Sequence, residues 1–118
     1  MAELSELRTK LLHARRQLEA AEVLEHSGLL EQAAAMHWIA LRTTVFAWLE
    51  QHEILYAGTR DALVAAISDK RLHAIGADLA FAYLIGTMSE WDERFAITSE
   101  QLLVFKSRCT NVRRQLES

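Results

Sequence analysis

The sequence predicts an all-α protein, an antiparallel up-down bundle of four to five helices. Three observations carry that expectation. Proline is absent from the 118 residues, glycine occurs only four times, and apolar residues recur at alternating steps of three and four. Proline and glycine are the residues that interrupt helices, and the three-four step marks one helix face. No stretch has the strict alternation of a strand. A chain of this length fits one domain, residues 1–118. With 51% hydrophobic and 25% charged residues it can bury a core without metals or disulfides.

The first segment, residues 3–26, places Leu4, Leu7, Leu11, Ala14, Leu18 and Ala21 on one face. Ser27-Gly28 ends it, glycine being the usual residue just past a helix terminus, and so short a break favours an antiparallel neighbour. Residues 29–52 are apolar on nearly every side, from Ala33-Ala34-Ala35 through Trp38, Ile39, Leu41, Val45, Phe46 and Trp48. This segment is expected to be the central helix, buried by its own bundle and by a second subunit. Tyr56-Ala57-Gly58-Thr59 reads as a turn, with Thr59 able to cap a helix from Arg60. Polarity rises at Asp69-Lys70-Arg71, where a break is expected. A helical pattern then resumes over residues 72–88, interrupted by Gly76 and Gly86. Residues 89–96 read as a loop or short helix held by Trp91 and Phe95. Thr98-Ser99-Glu100-Gln101 has the form of a capping box. The last helix carries Leu102, Phe105, Cys109, Val112 and Leu116 on one face and is expected to lie along the first.

A net charge of −3 with both signs dispersed argues against a broad phosphate-binding surface. The local cluster Lys106, Arg108, Arg113 and Arg114 suits the dipole of a helix end. One cysteine excludes an internal disulfide and a cysteine-based zinc site, and its place in an apolar stripe makes Cys109 a core residue. The opening Met1-Ala2-Glu3 lacks a basic-then-apolar signal. The longest charge-free apolar stretch, residues 79–86, is far short of a bilayer span. Cytoplasmic location, with no membrane contact, is the expectation.

Chemistry-bearing patterns are sparse. Five histidines never form His-Glu-x-x-His or paired Glu-x-x-His ligand sets. Asp69 with His73, and Glu22 with His26, share helix faces but supply two ligands each and read as surface ion pairs. His37, inside the apolar stretch, reads as a core histidine hydrogen-bonded to a neighbour. Asp92 and Glu93 are adjacent and diverge into solvent. Arg42 must find a carboxylate or reach water, so an ion pair between helices or subunits is expected, with anion binding in a groove as the functional alternative. No phosphate loop or nucleophile elbow occurs. The expectation is no cofactor, no metal and no catalytic residue. His37, Trp38, Arg42, Phe46 and Trp48 are the candidate interface or anion-binding residues.

The order of these elements resembles the HEPN family of prokaryotic helical domains. The likeness rests on Gly28-Leu29-Leu30-Glu31-Gln32-Ala33 after a leucine-rich first helix, then on Trp38-Ile39-Ala40 and Ala47-Trp48-Leu49 in the central one. Thr59-Arg60-Asp61-Ala62-Leu63 and Thr98-Ser99-Glu100-Gln101 stand at the later helix starts. The resemblance covers nearly the whole chain by pattern more than by identity. Ribonucleolytic members pair an arginine with a histidine four to six residues further on, near the later helices. Here Arg71 and His73 are too close, Arg94 and Arg108 have no following histidine, and Arg8 with His13 lies on the first helix. The resemblance therefore implies a non-catalytic, homodimeric interaction module for a protein or nucleotide partner, of toxin–antitoxin or nucleotidyltransferase-associated type. Nucleic acid is not favoured. Two alternatives stay open: a ribonuclease using Arg42 with His37 or Arg8 with His13, and a structural subunit of a phage- or plasmid-encoded complex.

Overall fold

A computed structural model describes residues 2–117, with side chains described from Glu6 onward; Leu4 of the expected first-helix stripe lies outside those side chains. Five α-helices and one 3₁₀ segment follow in order. These are α1 (Ala2–His26), α2 (Leu30–Gln51), α3 (Thr59–Ser68), the 3₁₀ segment Lys70–Ile75, α4 (Gly76–Trp91) and α5 (Ser99–Glu117). No strand occurs among the described residues.

The first break follows from one glycine. Gly28 has φ +79°, and its amide reaches Glu25 O while that of Leu29 reaches Leu24 O. This is the paired closure of a Schellman motif. It turns α2 back against α1. Along the pair, Lys10 meets Glu50, Gln17 meets Thr43 and Glu25 meets His37, so the index falls on α2 as it rises on α1. The two helices are therefore antiparallel. Their contact is built from small side chains, Ala14 and Ala21 facing a helix that buries Ala40 and Ala47.

α2 touches every other helix. Trp38, Leu41, Val45 and Leu49 join Leu63, Leu72, Leu79, Leu102, Phe105 and Val112 in one core. The second turn repeats the first with a different residue: Glu53 takes φ +57°, and Ile54 N closes on Leu49 O. The expected cap at Thr59 is not formed. α3 begins at Thr59 itself with Gly58 before it, and the Asp61 carboxylate instead accepts from Ala57 N at 2.7 Å. The break at Asp69 is real. Its carboxylate accepts from Arg71 N and starts the 3₁₀ segment. At Thr98 the capping box forms as expected, Thr98 N donating to Gln101 Oε1 and Gln101 N to Thr98 Oγ1.

α5 runs beside α1 without backbone contact: its backbone packs on α2, α4 and the 3₁₀ segment, while Lys106 in its first half reaches Glu22 and Glu25 at the end of α1. The stripe Leu102, Phe105, Cys109 and Val112 turns into the common core, while the alanine face of α1 is used up on α2. A hollow of about 450 Å³ separates the N-terminal half of α1 from the end of α5.

Residues Lys70–Trp91 have the length and apolar composition of a membrane span. They do not form one helix: Leu72 (φ −108°, ψ 16°) interrupts the segment. α4 alone, at 16 residues, is roughly 24 Å long against a hydrocarbon core of about 30 Å.

Gly86 permits a close approach between α4 and Trp38. A Cβ built there would overlap the Trp38 ring, and Trp38 is 1% exposed, so the ring has nowhere to move. Gly86→Ala should therefore destabilise by about 1–3 kcal/mol through overpacking, although alanine is the better helix former by about 1 kcal/mol. Thermal melting decides it: a higher melting temperature for the alanine variant would mean that Trp38 is free to shift.

Candidate functional site

Two features stand out: a half-buried polar cluster built over His37 and an apolar groove on the surface. Of the candidate interface or anion-binding residues singled out from the sequence, only His37 belongs to either. His37 and Trp38 are 1% exposed and Trp48 is 6% exposed. Trp38 packs edge-on to Tyr83. Trp48 lies against His52 with the Arg71 guanidinium 5.0 Å from its centroid. Phe46 is partly buried and stacks on Tyr56 at 4.9 Å. Arg42 forms the interhelical ion pair, donating from Nη1 to Glu90 Oε1 at 2.9 Å. Most of α2 is covered by the chain's own α1, α3, α4 and α5.

His37 and Arg42 do not share a site. Five residues apart on one helix, they diverge by about 140°, His37 toward Glu25 on α1 and Arg42 toward Glu90 on α4. Arg8 and His13 are both exposed on α1, with the same divergence. The expected ion pairs of Asp69 with His73 and Glu22 with His26 are replaced. Asp69 takes Arg71, Glu22 takes Lys106, and His26 Nδ1 bonds the backbone oxygen of Glu22. Arg71 holds the Asp69 carboxyl down to about 2. The basic cluster of α5 is largely spent within the chain, Lys106 on Glu22 and Glu25 and Arg108 on Asp78 at 2.6 Å. Cys109 is fully buried, and burial pushes its thiol up to about 12, which makes it inert.

The polar cluster lies where α1, α2 and α5 meet. Glu22 and Glu25 come from α1, His37 from α2, and Lys106 and Arg113 from α5. Among the described residues, every buried side-chain atom without a hydrogen-bond partner belongs to it: Glu25 Oε1, both His37 ring nitrogens and Arg113 Nη1. Lys106 Nζ lies 2.8 Å from Glu25 Oε1 as its ion-pair partner. The ammonium holds the Glu25 carboxyl below its ordinary range. Expecting a hydrogen-bonded core histidine was half right: His37 is buried and unpaired. Glu22, Glu25 and His37 are also the one group of donors, among the described residues, close enough together to hold a metal ion.

The groove lies between α4, α5 and the loop of residues 92–98. Phe81, Ile85, Met88, Phe95, Val104 and Phe105 line about 550 Å³. The loop is held in place by Ile97 N, which donates to Glu31 Oε2 on α2. Beside the groove, Leu84 (58% exposed), Met88 and Trp91 (81% exposed) form a ridge at helical spacing on α4. The apolar character of α4 was legible in the sequence, but which of its faces stays uncovered depends on where α5 packs. No protein-family model and no curated protein matches the chain.

The polar cluster has a pH signature. Burial, followed by the neighbouring Lys106 charge, pushes His37 down to about 4 from an ordinary 6.5, against the opposing pull of Glu22 and Glu25. The unfolded chain then binds the extra proton, so stability is full above about pH 6.5 and falls as pH drops toward 4. Urea unfolding in chelator-containing buffer should show roughly 2 kcal/mol lost between pH 7 and pH 5 through this group. His37→Leu should be neutral or stabilising at pH 7 and should flatten that part of the profile. An identical slope in the variant would assign the loss elsewhere.

Proposed function

We propose that this chain is a cytoplasmic, non-catalytic helical interaction module, running up and down through its helices in the HEPN-like order, and that it works as a homodimer. The observation that carries this reading is the apolar groove with the exposed Trp91 ridge directly beside it. A surface holding both a hollow and a projecting aromatic is self-complementary: a two-fold axis can set the ridge of each copy into the groove of the other. Asp92, Glu93 and Arg94 at one end supply both charge signs for the rim, the arrangement that fixes register in polar-edged interfaces. An aromatic and a methionine at the centre are the side chains such interfaces favour. An uncovered patch of this kind on a lone chain would invite nonspecific association. The dimer would offer its remaining surfaces to a protein or nucleotide partner, the role the family resemblance implies for non-catalytic members.

Light scattering at micromolar concentration should give twice the chain mass. Leu84→Glu and Trp91→Asp, both at exposed positions, should give the single-chain mass with an unchanged helical circular dichroism spectrum. A wild-type monomer at that concentration, or a dimer that survives both substitutions, would refute the pairing face.

A further inference from the structure

Glu22 and Glu25 are three residues apart on α1, so their carboxylates lie on one face. With His37 their donor atoms fall within 4.8 Å of one another. His37 is the second and independent observation. It is 1% exposed, neither ring nitrogen has a hydrogen-bond partner, and Nε2 faces Glu25 Oε1 across 3.8 Å. That gap is too long for a hydrogen bond. It is close to the spacing of two donors on one ion, which at roughly 2.0–2.2 Å from zinc stand about 3.4 Å apart at the tetrahedral angle.

We propose that Glu22, Glu25 and His37 form a binding site for a divalent first-row transition ion of the zinc class. One imidazole with two carboxylates suits such an ion better than calcium or magnesium, which prefer all-oxygen donor sets. Three protein donors leave a fourth position for water or another ligand. The Lys106 ammonium, 2.8 Å from Glu25 and 3.4 Å from Glu22, stands in the place of that cation. It neutralises the carboxylates but leaves the imidazole unpaired, whereas a metal ion would engage all three groups. The lysine side chain is 22% exposed on a flexible stem, so its head can withdraw to solvent. Lys106 is thus a built-in competitor for the site.

Calorimetric titration of the full chain with zinc chloride tests the site, with the visible absorption of added cobalt(II) as a second readout. One equivalent should bind, and cobalt should show the intense bands of a four-coordinate centre. Lys106→Met should bind about tenfold more tightly, because it removes a unit charge held a few ångström away. His37→Gln and Glu22→Gln should each weaken binding by more than the roughly 10–100-fold typical of losing an outer partner. The Glu22 side chain is 44% exposed, so Glu22→Gln keeps the test valid even where a His37 variant folds poorly; circular dichroism verifies the fold. No stoichiometric binding in both the wild type and Lys106→Met would overturn the assignment. Binding unchanged in Glu22→Gln would overturn it equally.

Discussion

The burial of α2 is the constraint on which the rest of this structure depends. A helix apolar on nearly all sides is stable in water only when each side is covered, and here α1, α3, α4 and α5 all contact it. One tight point is Trp38 against Gly86, where the absence of one Cβ lets the indole lie on the α4 backbone. On the opposite side, alanines at positions 14, 21, 40 and 47 bring α1 close. The partners of α2 are chosen by size: small residues where a backbone approaches, aromatic and branched ones where a volume must be filled.

Covering one helix so fully leaves its neighbours incompletely covered. α4 and α5 turn one face to α2, and among the described residues only the loop of residues 92–98 meets part of their outer apolar side. The groove between them and the ridge ending at Trp91 are what remains. A second consequence appears where α1 and α5 approach α2 from different sides. Their backbones do not meet, and the gap is bridged by charged side chains, Glu22 and Glu25 with Lys106. His37 is trapped beneath that bridge. Both the proposed pairing face and the proposed metal site are therefore set by how α2 is enclosed.

Local chemistry was legible in the sequence wherever a single residue type decides the backbone. Gly28 announced the first turn, Thr98 with Gln101 the start of α5, and Asp69 the break after α3. Glu53 could not be anticipated, because a non-glycine residue with positive φ carries no compositional mark. Tertiary placement was harder. The stripes of α1 and α5 looked like mates because both step by three and four, yet periodicity states only that a face is buried, not against what. The same limit applies to the surface of α2. Trp38 and Trp48 were visibly apolar, but whether neighbouring helices or a second copy cover them depends on topology. The polar cluster was invisible for a related reason, since Glu25, His37 and Lys106 are distant in sequence and meet only in the fold.

The three tryptophans offer the most direct test of this view, because they lie at the three places that matter. Acrylamide quenching of tryptophan fluorescence can be followed on the wild type and on a Trp91→Phe variant as protein concentration rises. If α2 is sealed within one chain, the variant should resist quenching at every concentration, Trp38 and Trp48 being 1% and 6% exposed. The additional wild-type signal, due to Trp91, should be quenched freely in dilute solution and become protected as the chains pair. A variant whose remaining tryptophans are quenched when dilute and shielded when concentrated would contradict the account, since it would put the pairing surface on α2.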